Sequence, residues 1–462
     1  MATHRIEHDA FGPVEIPEDR YWGAQTQRAL AIFEVGTERF PECLIHAFGL
    51  HKMAAAHANL RCGALDARLC DAIVAAAAEV RCGRFDDHFP LTIWQTGSGT
   101  QTNMNANEVI ANRANESFGQ PLGTRSPVHP NDHVNASQSS NDSFPTVMHM
   151  TAAIELDDRL VPALERLHAA LRERAMAFAD VLKIARTHLM DAVPTTLGQS
   201  FDGFAAQVGN ALARIHDAMP RLLVLPQGGT AAGTGLNAPP GFDVAFCEEA
   251  ARLSGLAFRP NPCKVEGMAA HDALLELSGV LGVIAASFTK IANDLRWMGS
   301  GPHCGLGELV LPEDGLTSSI MPGKRNPTIA EVMVQAAMQV AGNHVTVTMA
   351  AASGNFELNV AKPVLIYNVL QSIRLLADSA DMVASRLLPG LEPARERLAR
   401  QLESPLLAVT ALNPVLGYDA AARITRHATE NRITPREAAI ALGLLDGETF
   451  DRLVDLRRMA GG

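Results

Sequence analysis

Residues 315–326 read GLTSSIMPGKRN, so two serines (Ser318, Ser319), two adjacent cations (Lys324, Arg325) and Asn326 crowd into one stretch that ends at Pro327. An Asn side chain accepts from the unpaired amides of a helix's first turn, and Pro needs no amide partner there. The apolar-periodic segment after Pro327 therefore predicts a helix with Asn326 as N-cap and Pro327 as its first residue. Such an N-terminus favours an anion through its free amides and its dipole, and Lys324 adds a full charge. The chemistry expected here is recognition of a small carboxylate, by a loop mobile at its start and fixed at its helical end.

Three other polar clusters lie far away in the chain: GSGTQTN at 97–103, SQSSND at 137–142 and RTHLMD at 186–191. Singly, each reads equally well as a solvated turn, because Ser, Asn and Gly dominate turns for local reasons. Together the four offer neutral hydrogen-bond donors with one or two charges, the inventory that holds a small dicarboxylate. His129 and His133 stand four apart, but Pro130 between them argues against a regular helix, and no metal is expected. The glycine-rich run at 228–235 follows a helical pattern rather than a strand, so it predicts a tight interhelical turn instead of a nucleotide loop.

These clusters need elements to position them. Period-3.6 apolar patterns run through 146–180, 197–224, 268–295, 328–352 and 356–388, and predict helices far longer than the usual mean of about 12 residues. The implied architecture is a long bundle, and its apolar excess around 274–291 points to burial against further copies. Residues 46–82 also read as helical, and 94–118 as a Gly-Ser-Gly-Thr turn leading into a helix. Asn is a poor helix former, so Asn103, Asn105 and Asn107 in that helix call for a reason. Beyond LLPGLEP a smaller helical tail follows, in which Thr434, Pro435, Glu437 and Gly443 spell out a cap, a first residue, a capping box and a stop. Strand-like alternation is scarce; the class is mainly α, with small β pieces placed near the N-terminus.

Composition narrows the function. A chain of 462 residues has a length prior of roughly three domains. The formal charge of −11 argues against nucleic acid or an anionic membrane as electrostatic partner. Seven cysteines without a CxxC pair suggest free thiols in a reducing compartment. The segment MATHRIEHDAFG carries acids and no apolar core, unlike a signal peptide. The longest uncharged apolar stretch, 277–289, falls short of the roughly 20 residues of a membrane helix. A cytoplasmic location, with no membrane and no nucleic-acid partner, is the expectation.

TGSGTQTNMNANEV, HPNDHVNASQSSNDSFPT, RTHLMDAVPTTLGQ, SSIMPGKRNP and SGNFELNV resemble, in order and spacing, the class II fumarase branch of the fumarase/aspartase superfamily over essentially the whole chain. The resemblance implies a three-domain subunit: 1–139 N-terminal, 140–393 a central five-helix bundle, and 394–462 a small helical domain. It also implies a homotetramer with a helical core and active sites shared between subunits, a small dicarboxylate substrate and no cofactor. The implied reaction is reversible anti addition of water to fumarate, giving (S)-malate through an aci-carboxylate. A hydratase of a methylated fumarate such as mesaconate, or an aspartate ammonia-lyase, is the alternative. A structural relative that had lost its chemistry would show decay of the catalytic set, and here the set is complete.

Carried over by position, the resemblance makes Ser318 the catalytic base, His188 the second acid/base group and Glu331 the carboxylate that orients His188. Ser98, Gly99, Thr100, Ser139, Ser140, Asn141, Thr187 and Ser319 match substrate-binding positions, and Lys324 and Asn326 those that hold the developing charge. His129, Asn131 and Asp132 match a second carboxylate site. A neutral serine is a weak base, so an alkoxide stabilised by Lys324 and loop amides is expected. The chain departs from the family at Thr317, where Gly is usual, at Arg325, where a small apolar residue is common, and at His133, where an acid is common. Losing Gly restricts the loop, and Arg325 would bring a further positive charge beside the substrate.

Overall fold

The periodic segments fold as five long helical stretches. They are Ser140–Glu155, continued by a π turn into Val161–Ala177; Leu197–Leu222; Asp272–Met298; Thr328–Ala351; and Lys362–Met382. The protein is described here as a computed structural model over residues 3–461, and it is mainly α. Local chemistry moves several boundaries from those the periodicity predicts. The first stretch starts earlier, at Ser140, because Ser139 and Asp142 close a capping box. The third starts only after His271, whose φ of 64° interrupts helix geometry. Residues 356–361 stay irregular, with Phe356 at φ 52°, so the fifth begins at Lys362. The fourth begins at Thr328: the Glu331 amide donates to the Pro327 carbonyl at 3.0 Å, which puts the cap at Pro327 and corrects the expected Asn326 cap by one residue.

The chain divides into two compact units. The first comprises Met1–Pro162, Leu212–Ala285 and Ala336–Ala377; the second comprises Ala163–Ala211, Ala286–Gln335 and Asp378–Gly462. In the first unit, polar bonds join successive long helices. The His149 ring meets the Leu222 carbonyl at 3.0 Å, Arg221 pairs with Glu276, Ser278 meets His344 at 2.9 Å, and Asn343 donates to Gln371 and Ser372 at 2.9 and 3.0 Å. Around them helices Glu42–Arg61, Ala67–Arg81 and Thr100–Ser117 pack together, and His4–Asp9 pairs antiparallel with Gly12–Pro17 as a small N-terminal hairpin.

Leu274, Leu277, Leu281, Ile284, Phe288, Ile291 and Leu295 all lie buried along Asp272–Met298, at the three- and four-residue spacing that makes one face of a helix. Each such side chain contributes about 1.5–3 kcal/mol through burial. By length and composition this helix also meets the criteria for a membrane span. Its buried stripe is that of a core helix.

The second unit holds a hairpin that the sequence pattern did not place there: Leu182–Thr187 pairs antiparallel with Met190–Thr196. It also holds the helical tail, with a core of Val409, Leu412, Ile424, Ala428, Ala438, Ala439 and Phe450. The tail's capping box forms as the spacing predicts. The Thr434 amide donates to Glu437 at 2.8 Å and the Glu437 amide to the Thr434 hydroxyl at 3.2 Å, while Gly443 ends the helix at φ 66°. Replacing Thr434 with Ala is expected to cost about 1 kcal/mol, read as a lower urea midpoint for the tail's unfolding with the slope unchanged.

Candidate active site

In the first unit the 137–142 cluster is built around one carboxylate. Asp142 sits in the first turn of Ser140–Glu155 and is fully buried. One of its oxygens accepts from the Ser139 amide at 2.9 Å and the Ser143 hydroxyl at 3.3 Å. The other accepts from the Gln227 side-chain amide at 3.1 Å and from the Gly228 and Thr230 backbone amides at 3.0 and 2.8 Å. Burial pushes its pKa up to about 6, against the lowering effect of those bonds. The glycine-rich run at 228–235 is thus an interhelical turn, as its context predicts, and it wraps a carboxylate rather than a phosphate. Asn141, at the same helix start, donates to the Ala231 carbonyl at 2.9 Å.

The asparagines find their reason beside it. Lys52, fully buried, donates to the side-chain oxygens of Asn103 at 2.8 Å, Asn135 at 3.2 Å and Gln138 at 2.8 Å. Asn103 in turn donates to Ser140 Oγ at 2.9 Å, Asn107 to Asn135 at 3.1 Å, and Asn105 to the His88 carbonyl at 3.0 Å. A helix rich in poor helix formers is therefore a frame that fixes Ser140 and the 135–138 turn.

Ser98, Gly99 and Thr100 lie on the turn before Thr100–Ser117, with the Ser98 and Thr100 hydroxyls 2.7 Å apart. Gly99 adopts φ 75° with its α-carbon against the Phe144 ring, and a Cβ on Gly97 would come within 1.3 Å of the Val360 carbonyl oxygen. Gly97 is required by close approach, and Gly99 by close approach and by its left-handed backbone.

The 129–133 segment is also held by local bonds. His129 Nδ1 accepts from the Asn131 and Asp132 amides at 3.3 and 3.1 Å, across a π turn Pro130–Val134, and His133 Nδ1 accepts from the His129 amide at 2.8 Å. The Asp132 carboxylate lies 3.2 Å from the same His129 nitrogen. That nitrogen cannot accept from two amides and donate to Asp132 at once; burial lowers the ring's pKa, and the neutral, amide-accepting form fits. His133 is turned to its own backbone. Among the described residues no group of three or more His, Cys, Asp or Glu side chains is arranged to hold a metal ion.

His188, Thr187, Ser318, Ser319, Lys324, Asn326 and Glu331 belong to the second unit. His188 and Leu189 form the two-residue tip of the hairpin, at φ 56° and 61°, the left-handed pair that a type I′ turn demands. The imidazole is solvent-exposed at that tip. Buried behind it, Glu308 accepts from Arg186 at 2.6 Å and stands 3.0 Å from the Lys183 ammonium, so both charges on the first strand are anchored. Ser318 Oγ accepts from the Met321 amide at 3.1 Å and, more weakly, from the Ile320 amide at 3.4 Å. Arg325 pairs with Glu313 across the exposed surface of the loop. Thr328 donates to Asp314, so the loop is closed at its base by two polar contacts. Among the described residues no hydrogen bond joins His188 to Glu331.

A family model described as Lyase matches residues 12–342, and one described as Fumarase C C-terminus matches 409–461. These spans make the chain a member of a lyase class built on this helical fold. Fumarate hydratase class II of Brucella suis is 54% identical over 459 residues, 99% of each chain. The mitochondrial fumarate hydratase of Homo sapiens is 53% identical over 461 residues, covering 99% of this chain and 90% of that one. A crystal structure of class II fumarase from Schistosoma mansoni matches with a TM-score of 0.97 at 42% identity over 99% of both chains. The chain belongs to the class II fumarate hydratase family.

Sequence reasoning passed over Lys52, Asn135, Gln227 and the Gly228–Thr230 amides as parts of the site. Only the surplus of asparagine in the 100–117 helix hinted at them. Substituting Gly97 with Ala should displace the 97–100 turn; the expected result is a KM raised about ten-fold or more in steady-state assays, with lower thermal stability.

Proposed function

We propose that this chain is a hydro-lyase that adds water reversibly to fumarate, giving (S)-malate by anti addition. The observation that carries this reading is 54% identity to a class II fumarate hydratase over 99% of both chains, with the whole catalytic set inferred from the motifs in place. In the malate direction a carbon-bound proton beside a carboxylate leaves first, and charge accumulates on that carboxylate as an aci-carboxylate. Groups that bind this added charge more strongly than the ground state accelerate the step. Lys324, Asn326 and the amides at the start of Thr328–Ala351 are suited to that task.

Ser318 is the proposed base. Two amides donate to its oxygen already, and the same donors would stabilise an alkoxide. His188 handles the water, oriented by Glu331, while Ser98, Gly99, Thr100, Ser139, Ser140, Asn141, Thr187 and Ser319 hold the substrate. His129, Asn131 and Asp132 remain a proposed second carboxylate site. Arg325, held by Glu313, acts on the loop's shape rather than on the substrate.

We also propose a homotetramer with shared sites, in a cytoplasmic protein with three domains bounded near residues 139 and 393. Supporting the association, Val332, Met338, Val345 and Met349 are exposed along Thr328–Ala351, a helix whose one carboxylate, Glu331, sits in its first turn. The pairing of His188 with Glu331 then arises between copies.

Ser318→Ala is expected to lower kcat about 100- to 10,000-fold while the assembly stays intact, measured by loss of fumarate's ultraviolet absorbance and by sedimentation. Near-normal turnover would remove Ser318 from the mechanism. Co-refolding Ser318→Ala with His188→Asn subunits should recover activity that neither has alone; no recovery would mean that each site is built within one chain. Presenting fumarate, mesaconate and aspartate side by side tests the substrate, because a methyl group shifts selectivity by only about 1–3 kcal/mol.

A further inference from the structure

Lys362 is absent from the catalytic and binding set above, yet it touches both substrate loops of the first unit. It is fully buried at the first position of Lys362–Met382. Its backbone amide donates to the Gly97 carbonyl at 3.1 Å, immediately before Ser98, Gly99 and Thr100. Its ammonium reaches the Asn141 carbonyl at 3.4 Å, beside Ser139 and Ser140. The segment that delivers it is fixed. Asn359 accepts from the Ala361 amide at 2.7 Å and donates to the Ala350 carbonyl at 2.8 Å, and the Val360 carbonyl presses against Gly97.

An ammonium has three donors, and one long bond to a carbonyl leaves it far from satisfied. Asp142 is the nearest source of opposite charge, but its oxygens are taken up by amides and hydroxyls, and no ion pair with Lys362 forms among the described residues. A lysine at a helix N-terminus also runs against the helix dipole. Buried charges without partners are rare where nothing is gained from them.

We propose that Lys362 is a substrate-affinity residue, a buried cation that joins the 97–100 and 139–141 loops and attracts the carboxylate those loops bind. The proposal rests on the dicarboxylate reading above and adds a residue to it. The titratable groups that act on Lys362 are Asp142 on Ser140–Glu155 and His271 just before Asp272–Met298, with His149 acting in turn on His271. Burial lowers the pKa of both histidines, so they stay neutral and add no second positive charge. Burial likewise brings Lys362 down to about 7, with Asp142 pulling in the opposite direction. An arriving dianion raises that value, so binding just above neutrality takes up a proton.

The test compares the assembled wild-type enzyme with Lys362→Met, Lys362→Gln and Lys362→Arg. KM for fumarate and Ki for succinate and its monoamide are measured, with calorimetry in two buffers of different ionisation enthalpy. The expected result is a rise of about ten-fold or more in KM and in the succinate Ki for the Met and Gln variants, a smaller change in kcat and in the monoamide Ki, reduced proton uptake, and recovery with Arg. Equal losses for diacid and monoamide, or succinate binding within about two-fold of wild type, overturn the proposal. If the wild type fails to hydrate fumarate, the hydratase reading falls, and the succinate calorimetry still decides the role of Lys362.

Discussion

The first unit depends on the solvation of one buried anion. Among the described residues no cation contacts Asp142, so fixed dipoles must replace the water it lost on folding. Those dipoles come from its own helix start and from a turn more than eighty residues away in sequence. Satisfying the carboxylate brings the two segments together, and Ser139, Ser140 and Asn141 take their positions as a by-product. Removing any one donor would leave a charged acceptor short of a partner in a low-dielectric setting, where the penalty is largest.

The second unit places its chemistry differently. Its titratable groups stand on exposed, tightly turned backbone: a hairpin tip for His188 and a closed loop for Ser318. The neutral donors of the first unit are rigid and buried at their roots. Such a division suits the proposed reaction, in which fixed hydrogen bonds would hold the substrate while the proposed proton carriers keep access to water.

The long helices and the tail were legible because one physical rule, burial of a 3.6-period stripe, acts along their whole length. The Thr434 to Gly443 stop-and-start signals read correctly for the same reason: they are local. Boundaries slipped where a single residue decides, as at His271 and Pro327, since positive φ and cap choice depend on surroundings more than on residue type. The 182–196 hairpin was hidden between helices because its strands are short and its tip lacks Asn-Gly. Of the site, the residues in motifs could be named from sequence. The frame behind them could not, because Lys52, Gln227 and Lys362 acquire meaning only from neighbours distant in the chain.

The hairpin tip sets a limit on how this protein could be made more robust. Two bulky residues, His188 and Leu189, occupy backbone that Asn and Gly fill at far lower cost, about 1–2 kcal/mol per residue for left-handed geometry. A selection or design procedure guided by stability alone would exchange them first, and would improve the scaffold while discarding the imidazole. Under the acid/base role proposed for His188, that turn is a place where folding preference and chemistry ask for different amino acids.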